Sequence, residues 1–144
     1  MFNLKGFTLV ELLVVIAILA ILTTVGIVQY WGINARARDS ARRADIYEIA
    51  SALEVNKAVQ GYSPLQTGQF SSFQWADPKG EAYCIGVGSP ADPVNTVSWG
   101  SNCPSGFETV APGVPAGNVL GWKVCTFLEN SAEGLHVFCK ASRQ

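Results

Sequence analysis

A chain of 144 residues has room for one domain and an appendage. It is 49% hydrophobic, with the apolar residues concentrated in the first thirty positions, and its net charge is -1. Beyond Gly61, Lys79, Lys123, Lys140 and Arg143 stand against Asp77, Glu81, Asp92, Glu108, Glu129 and Glu133, a net of −2, which leaves no electrostatic footprint for nucleic acid.

The chain opens on a short leader with one basic residue, Lys5, then Gly6-Phe7-Thr8-Leu9-Val10-Glu11 and the apolar run Leu12–Val28. A secretory signal peptide has its small residue after the apolar core; here Gly6 stands before it. An ionised carboxylate within hydrocarbon costs roughly 2.5–3.5 kcal/mol on insertion scales, so Glu11 is a functional candidate by default. These residues resemble the cleavage and methylation motif of type IV pilins and the related pseudopilins. The resemblance implies a leader over 1–6, cut by a prepilin peptidase between Gly6 and Phe7. It implies N-methylation of Phe7, and makes Glu11 the filament-assembly glutamate, paired with the Phe7 ammonium of a neighbouring subunit. Pairing lowers the cost of both buried charges and fixes the axial step between copies, as buried polar groups fix register in coiled coils. The blander reading is a glutamate that snorkels in a plain membrane anchor.

Leu12–Val28 is 17 uncharged residues, and Phe7–Trp31, Glu11 included, is 25 residues long, lengths that suit one membrane crossing. Tyr30 and Trp31 fall where an interfacial aromatic belt lies. Arg36, Arg38, Arg42 and Arg43 follow the run, against Lys5 and the Met1 amine before it. The positive-inside count alone puts the C-terminal side in the cytoplasm; the resemblance, and four cysteines beyond residue 83, put it outside. The arginine cluster reads as a contact for anionic lipid or a neighbour's acids, or as a solvated helix face. The family's helix-breaking proline is absent, and Gly26 and Gly32 are the weak points of the run.

From residue 32 to 60 the chain reads as a continuation of the helix. Ile46, Ile49, Ala50 and Leu53 form one apolar face, Asp39 and Arg43 have favourable i, i+4 spacing, and Gly61 is placed to end the helix. A helix over Phe7–Gln60 is about 80 Å long. Gly61-Tyr62-Ser63-Pro64 resembles the exit of the pilin helix. Residues 65–118 read as a connecting region with one strand, Ala82–Val87. Within it, Asp77-Pro78-Lys79-Gly80, followed by Tyr83, resembles a pseudopilin turn, and makes a turn by its own chemistry. Asp77, Asp92 and Asn95 lack the spacing of a calcium loop, so no metal is expected.

Asn118–Glu129 and Leu135–Ala141 read as a hairpin. With Cys125 opposite Cys139, Phe127 faces Val137 and Glu129 faces Leu135. Cys125, Phe127, Leu135, Val137 and Cys139 then share one face, which suits the side packed on the helix. Four cysteines allow three pairings; this register favours Cys125–Cys139 and, by elimination, Cys84–Cys103. Trp75, Trp99, Trp122, Phe70 and Phe73 serve either as core or as a sugar- or surface-binding patch, with Trp99 the best placed for contact. One histidine, His136, and no Ser or Cys set against a base leave no catalytic triad, and no cofactor is expected.

The fold class expected is α+β: a long N-terminal helix, transmembrane in its front half (7–31) and amphipathic over 32–60, packed on a small antiparallel sheet in a disulfide-bonded head over 61–144. The resemblance implies a structural subunit, not an enzyme. It would wait in the inner membrane as a single-pass protein and be added to a helical homo-oligomeric filament by an ATPase-driven assembly platform. The filament would lie outside the cell or in the cell envelope and serve adhesion, motility or DNA uptake. The alternatives are a pseudopilin of a type II secretion system and a membrane-anchored extracellular binding domain.

Overall fold

The computed structural model describes residues 6–70, 77, 79–88, 90–93, 99–130 and 136–142, leaving out the side chains of Val28, Gln29 and Trp31. Met1, Lys5, Phe73, Trp75, Pro78, Asn95, Glu133, Leu135 and Arg143 lie outside the described residues. The chain divides into two compact units, Met1–Ala35 and Arg36–Gln144. Helix α1, Leu9–Val55, contributes to both.

In the first unit, every residue from Gly6 to Ile27 is exposed, and this part of α1 is long and apolar enough to cross a membrane. Its polar side chains bond back to the helix. Thr23 Oγ1 donates to Leu19 O (2.9 Å) and lies 3.0 Å from Ala20 O, while Thr24 Oγ1 donates to Ile21 O at 2.8 Å. Both hydroxyls are thereby satisfied without water, as hydrocarbon requires.

In the second unit, the 3.6-residue period puts Ile46, Ile49 and Leu53 on one side of α1, all at 0% exposure. They pack with Tyr62, Leu65, Tyr83, Ile85, Val110, Trp122 and Val124. After α1 come β1 (Lys57–Ala58) and β2 (Gly61–Tyr62), a two-stranded hairpin, then a 3-10 turn at Thr67–Gln69. Four further strands follow: β3 (Cys84–Val87), β4 (Glu108–Thr109), β5 (Trp122–Phe127) and β6 (Val137–Ala141). They form one antiparallel sheet in the order β4-β3-β5-β6. A long N-terminal helix packed on small antiparallel sheets is the α+β layout that the resemblance implies.

The β5–β6 register is the one read from the sequence, with Cys125 opposite Cys139 and Phe127 opposite Val137; the Glu129–Leu135 pair falls outside the described residues. Both strands are shorter than predicted, as is β3. The face is reversed. Glu108, Ile85, Val124 and Lys140 form one row across the four strands, and Thr109, Cys84, Cys125 and Cys139 form the next. Neighbouring rows face opposite sides of a sheet. Ile85 and Val124 are in the core with α1, so the cysteine row faces away from the helix. Burial does not alternate along β5, where Val124, Cys125 and Thr126 are all buried. Both faces are covered, and parity alone cannot tell them apart.

Helix α1 ends five residues before the predicted Gln60. Asn56 Nδ2 donates to Ala52 O (2.7 Å), and Ser63 N–H donates to Asn56 O (3.3 Å), which turns the chain into the hairpin. Gly61 therefore does not cap the helix. It has φ +117, and a Cβ there would lie 2.5 Å from Val119 O. Its lack of a side chain lets Tyr62 and Val119 exchange backbone hydrogen bonds of 2.8 and 3.1 Å.

Candidate functional site

Gly6 and Phe7 precede the helix, with Phe7 exposed. Thr8 is the N-cap. Its N–H and its Oγ1 both donate to Glu11 Oε2 at 2.8 Å, and the Glu11 N–H donates to Thr8 Oγ1 at 3.3 Å. This reciprocal arrangement is a capping box, set by the T-x-x-E spacing. It also puts the carboxylate at the positive end of the helix dipole. In the single chain the partner of Glu11 is thus its own Thr8, a local role that the charge argument overlooks.

The arginine cluster after the apolar run divides: Arg36 and Arg43 are exposed, Arg38 is half-buried and Arg42 is buried. Arg42 is fully buried. Its guanidinium pairs with Asp39 Oδ1 (2.9 Å), Asp77 Oδ2 (2.8 Å) and Glu129 Oε1 (2.8 Å). Arg38 holds Glu129 in a two-bond fork at 2.8 and 2.7 Å, and Lys79 reaches the same carboxylate at 2.7 Å. Asp39 accepts the N–H groups of Glu129 (2.8 Å) and Asn130 (2.7 Å). Asp39 therefore pairs with Arg42 at i, i+3, not with Arg43 as its spacing predicts. Arg43 instead lies over the Phe138 ring at 5.1 Å.

The cluster ties three segments together: α1, the turn at Asp77 and the end of β5. The turn forms as read, with Gly80 N–H donating to Asp77 O (2.8 Å) and Glu81 N–H to Asp77 Oδ2 (3.1 Å). The hydrogen bond from Arg38 holds the Glu129 carboxyl down at about 2 against the opposing pull of desolvation, with Lys79 and Arg42 adding to the effect. Burial opposes the charge on Arg42, but its acidic partners outweigh this and raise its pKa. Close by in sequence, Tyr83 donates to Asp45 Oδ2 at 2.5 Å; burial, then this bond, raise the phenol.

Disulfides join Cys84 to Cys103 (1.97 Å) and Cys125 to Cys139 (2.05 Å). Trp99 is half-buried, edge-on to Phe127 at 6.1 Å, and Phe127 stacks on His136 at 5.6 Å. Trp122 is core, in edge contact with Tyr62 at 6.0 Å, and Phe70 packs against the same core. Among the described residues there is no group of three or more His, Cys, Asp or Glu suited to a metal ion.

Residues 1–27 match the family model described as the prokaryotic N-terminal methylation motif. That motif is the class III signal of type IV pilins and pseudopilins. With the helix and sheet above, it supports a pilin- or pseudopilin-like filament subunit, structural in kind, anchored in the inner membrane and processed by a prepilin peptidase. No curated protein and no solved structure matches the chain.

Proposed function

We propose that this chain is a structural subunit of a type IV pilus-like filament. Prepilin peptidase cuts after Gly6, Phe7 is methylated on its new amine, and Glu11 then pairs with the Phe7 ammonium of a neighbouring copy in the filament core. The head, with its two disulfides, coats the filament outside the cytoplasm. The observation that carries this reading is the single carboxylate, Glu11, at the head of an exposed apolar helix inside a matched methylation motif.

Two measurements test it. Mass analysis of the mature N-terminus should find methylated Phe7, and an intact Met1 or a cut elsewhere would overturn the reading. Glu11→Gln keeps the hydrogen bonds of the capping box but removes the charge, so it should abolish filaments while leaving the helix start and the head intact. A second reading, a pseudopilin of a type II secretion system, is favoured by the formed turn at Asp77. Electron microscopy separates the two: long surface fibres for a pilin, none at native expression for a pseudopilin.

A further inference from the structure

The four-stranded sheet ends in two open edges; among the described residues nothing pairs with the outer side of β4 or β6. Along antiparallel strands, hydrogen-bonded and non-bonded pairs alternate. Leu128 N–H donates to His136 O (2.6 Å) and Ser142 N–H to Trp122 O (2.9 Å). The even-numbered residues of β6 therefore turn their backbone groups towards β5, while Val137, Cys139 and Ala141 turn theirs outward. On the other edge Val110 N–H donates to Tyr83 O (2.7 Å), so Glu108 turns inward and Thr109 outward.

The helix-side row that crosses the sheet has an acid at one end, a base at the other and two apolar residues between: Glu108, Ile85, Val124, Lys140. Glu108 is exposed and has no ion-pair partner among the described residues. Lys140 has none either, and its ammonium lies 4.7 Å from the centre of the Tyr47 ring. The exposed Arg43 adds a second positive charge beside β6.

We infer that the sheet continues from one copy of this chain to the next, β6 of one copy pairing antiparallel with β4 of another, with Lys140 opposite Glu108. Three features fit this partner. Strand direction alternates from β4 to β6, so a copy added in the same orientation presents its β4 antiparallel to β6. The register that sets Lys140 against Glu108 also sets Cys139 against Thr109, bringing outward-turned backbone groups face to face. A slip of one residue would put the two charges on opposite faces of the sheet. The joint uses two different patches, so it repeats head to tail, as the joints of a filament do, and is not the self-complementary joint of a two-fold dimer. Because β4 has two residues, the joint is weak alone and forms where copies are already held at high local concentration. This inference rests on the filament reading above.

The test uses full-length chain in its assembly machinery. Lys140→Glu and Glu108→Lys should each cut filament yield by about tenfold, and the double exchange should restore it. Carbodiimide joins an amine to a carboxylate only where they touch, so treated wild-type filaments should yield a peptide linking Lys140 of one copy to Glu108 of another. Single variants that assemble normally, a double variant as poor as the singles, or intact filaments without the cross-link would each overturn the joint alone. Absence of filaments from the wild type would overturn the filament reading and this one with it.

Discussion

Arg42 sits where water does not reach, and three carboxylates depend on it. Its Nε and the second oxygen of Asp77 are buried without a hydrogen-bond partner among the described residues, so the cluster has little slack. Removing one member of a buried ion cluster strands its partners at a cost of about 3–5 kcal/mol. Arg42→Met should lower the denaturation midpoint of the head accordingly, while Arg36→Met, at an exposed position, should shift it by less than about 0.5 kcal/mol. Glu129 makes the same cluster sensitive to acid. Its pKa is about 2 in the fold against an ordinary 4.5. A lowered carboxylate pKa stabilises the fold above the ordinary value, and that contribution fades as pH falls from about 4.5 towards 2. Midpoints measured across this range should drop for the parent and flatten for Glu129→Gln, which starts lower at neutral pH.

Among the elements, the β2 hairpin leans on one glycine. Gly61→Ala puts a Cβ against Val119 O and asks a non-glycine residue to hold φ +117. A cost of about 1–3 kcal/mol is expected, against little change for Gly68→Ala, where a Cβ meets nothing within 4 Å. Chemical denaturation compares the two. Ile46, Ile49 and Leu53 were legible in the sequence because one side of a helix is buried and the period shows it. The β5–β6 register was legible because Cys125 and Cys139 pin it. Which face met the helix was not, since both faces of β5 are covered. Strand β4 has two residues, too few for any period. The ionic cluster was out of reach for another reason: Arg42 meets Asp77 35 positions away and Arg38 meets Glu129 91 positions away, and no local pattern encodes such pairs. Thr8 and Glu11 carry the T-x-x-E spacing of a helix start, which reading Glu11 only as a charge in the membrane passed over.

At the scale of the molecule, the two units answer to different solvents. The second, Arg36–Gln144, contains its own core, its ionic cluster and both disulfides. Expressed without the first 35 residues it should be soluble and unfold cooperatively, and reduction should cost about 2–5 kcal/mol for each disulfide lost; thermal melts with and without reductant check both. The first unit has a closed ring of bonds around its one acid. A single copy therefore holds its carboxylate in fixed hydrogen bonds, with no opposite charge against it among the described residues. On the filament reading, joining a neighbour exchanges two neutral donors for an ammonium, so what is gained at that spot is the pairing of the charge, the gain that Glu11→Gln would remove.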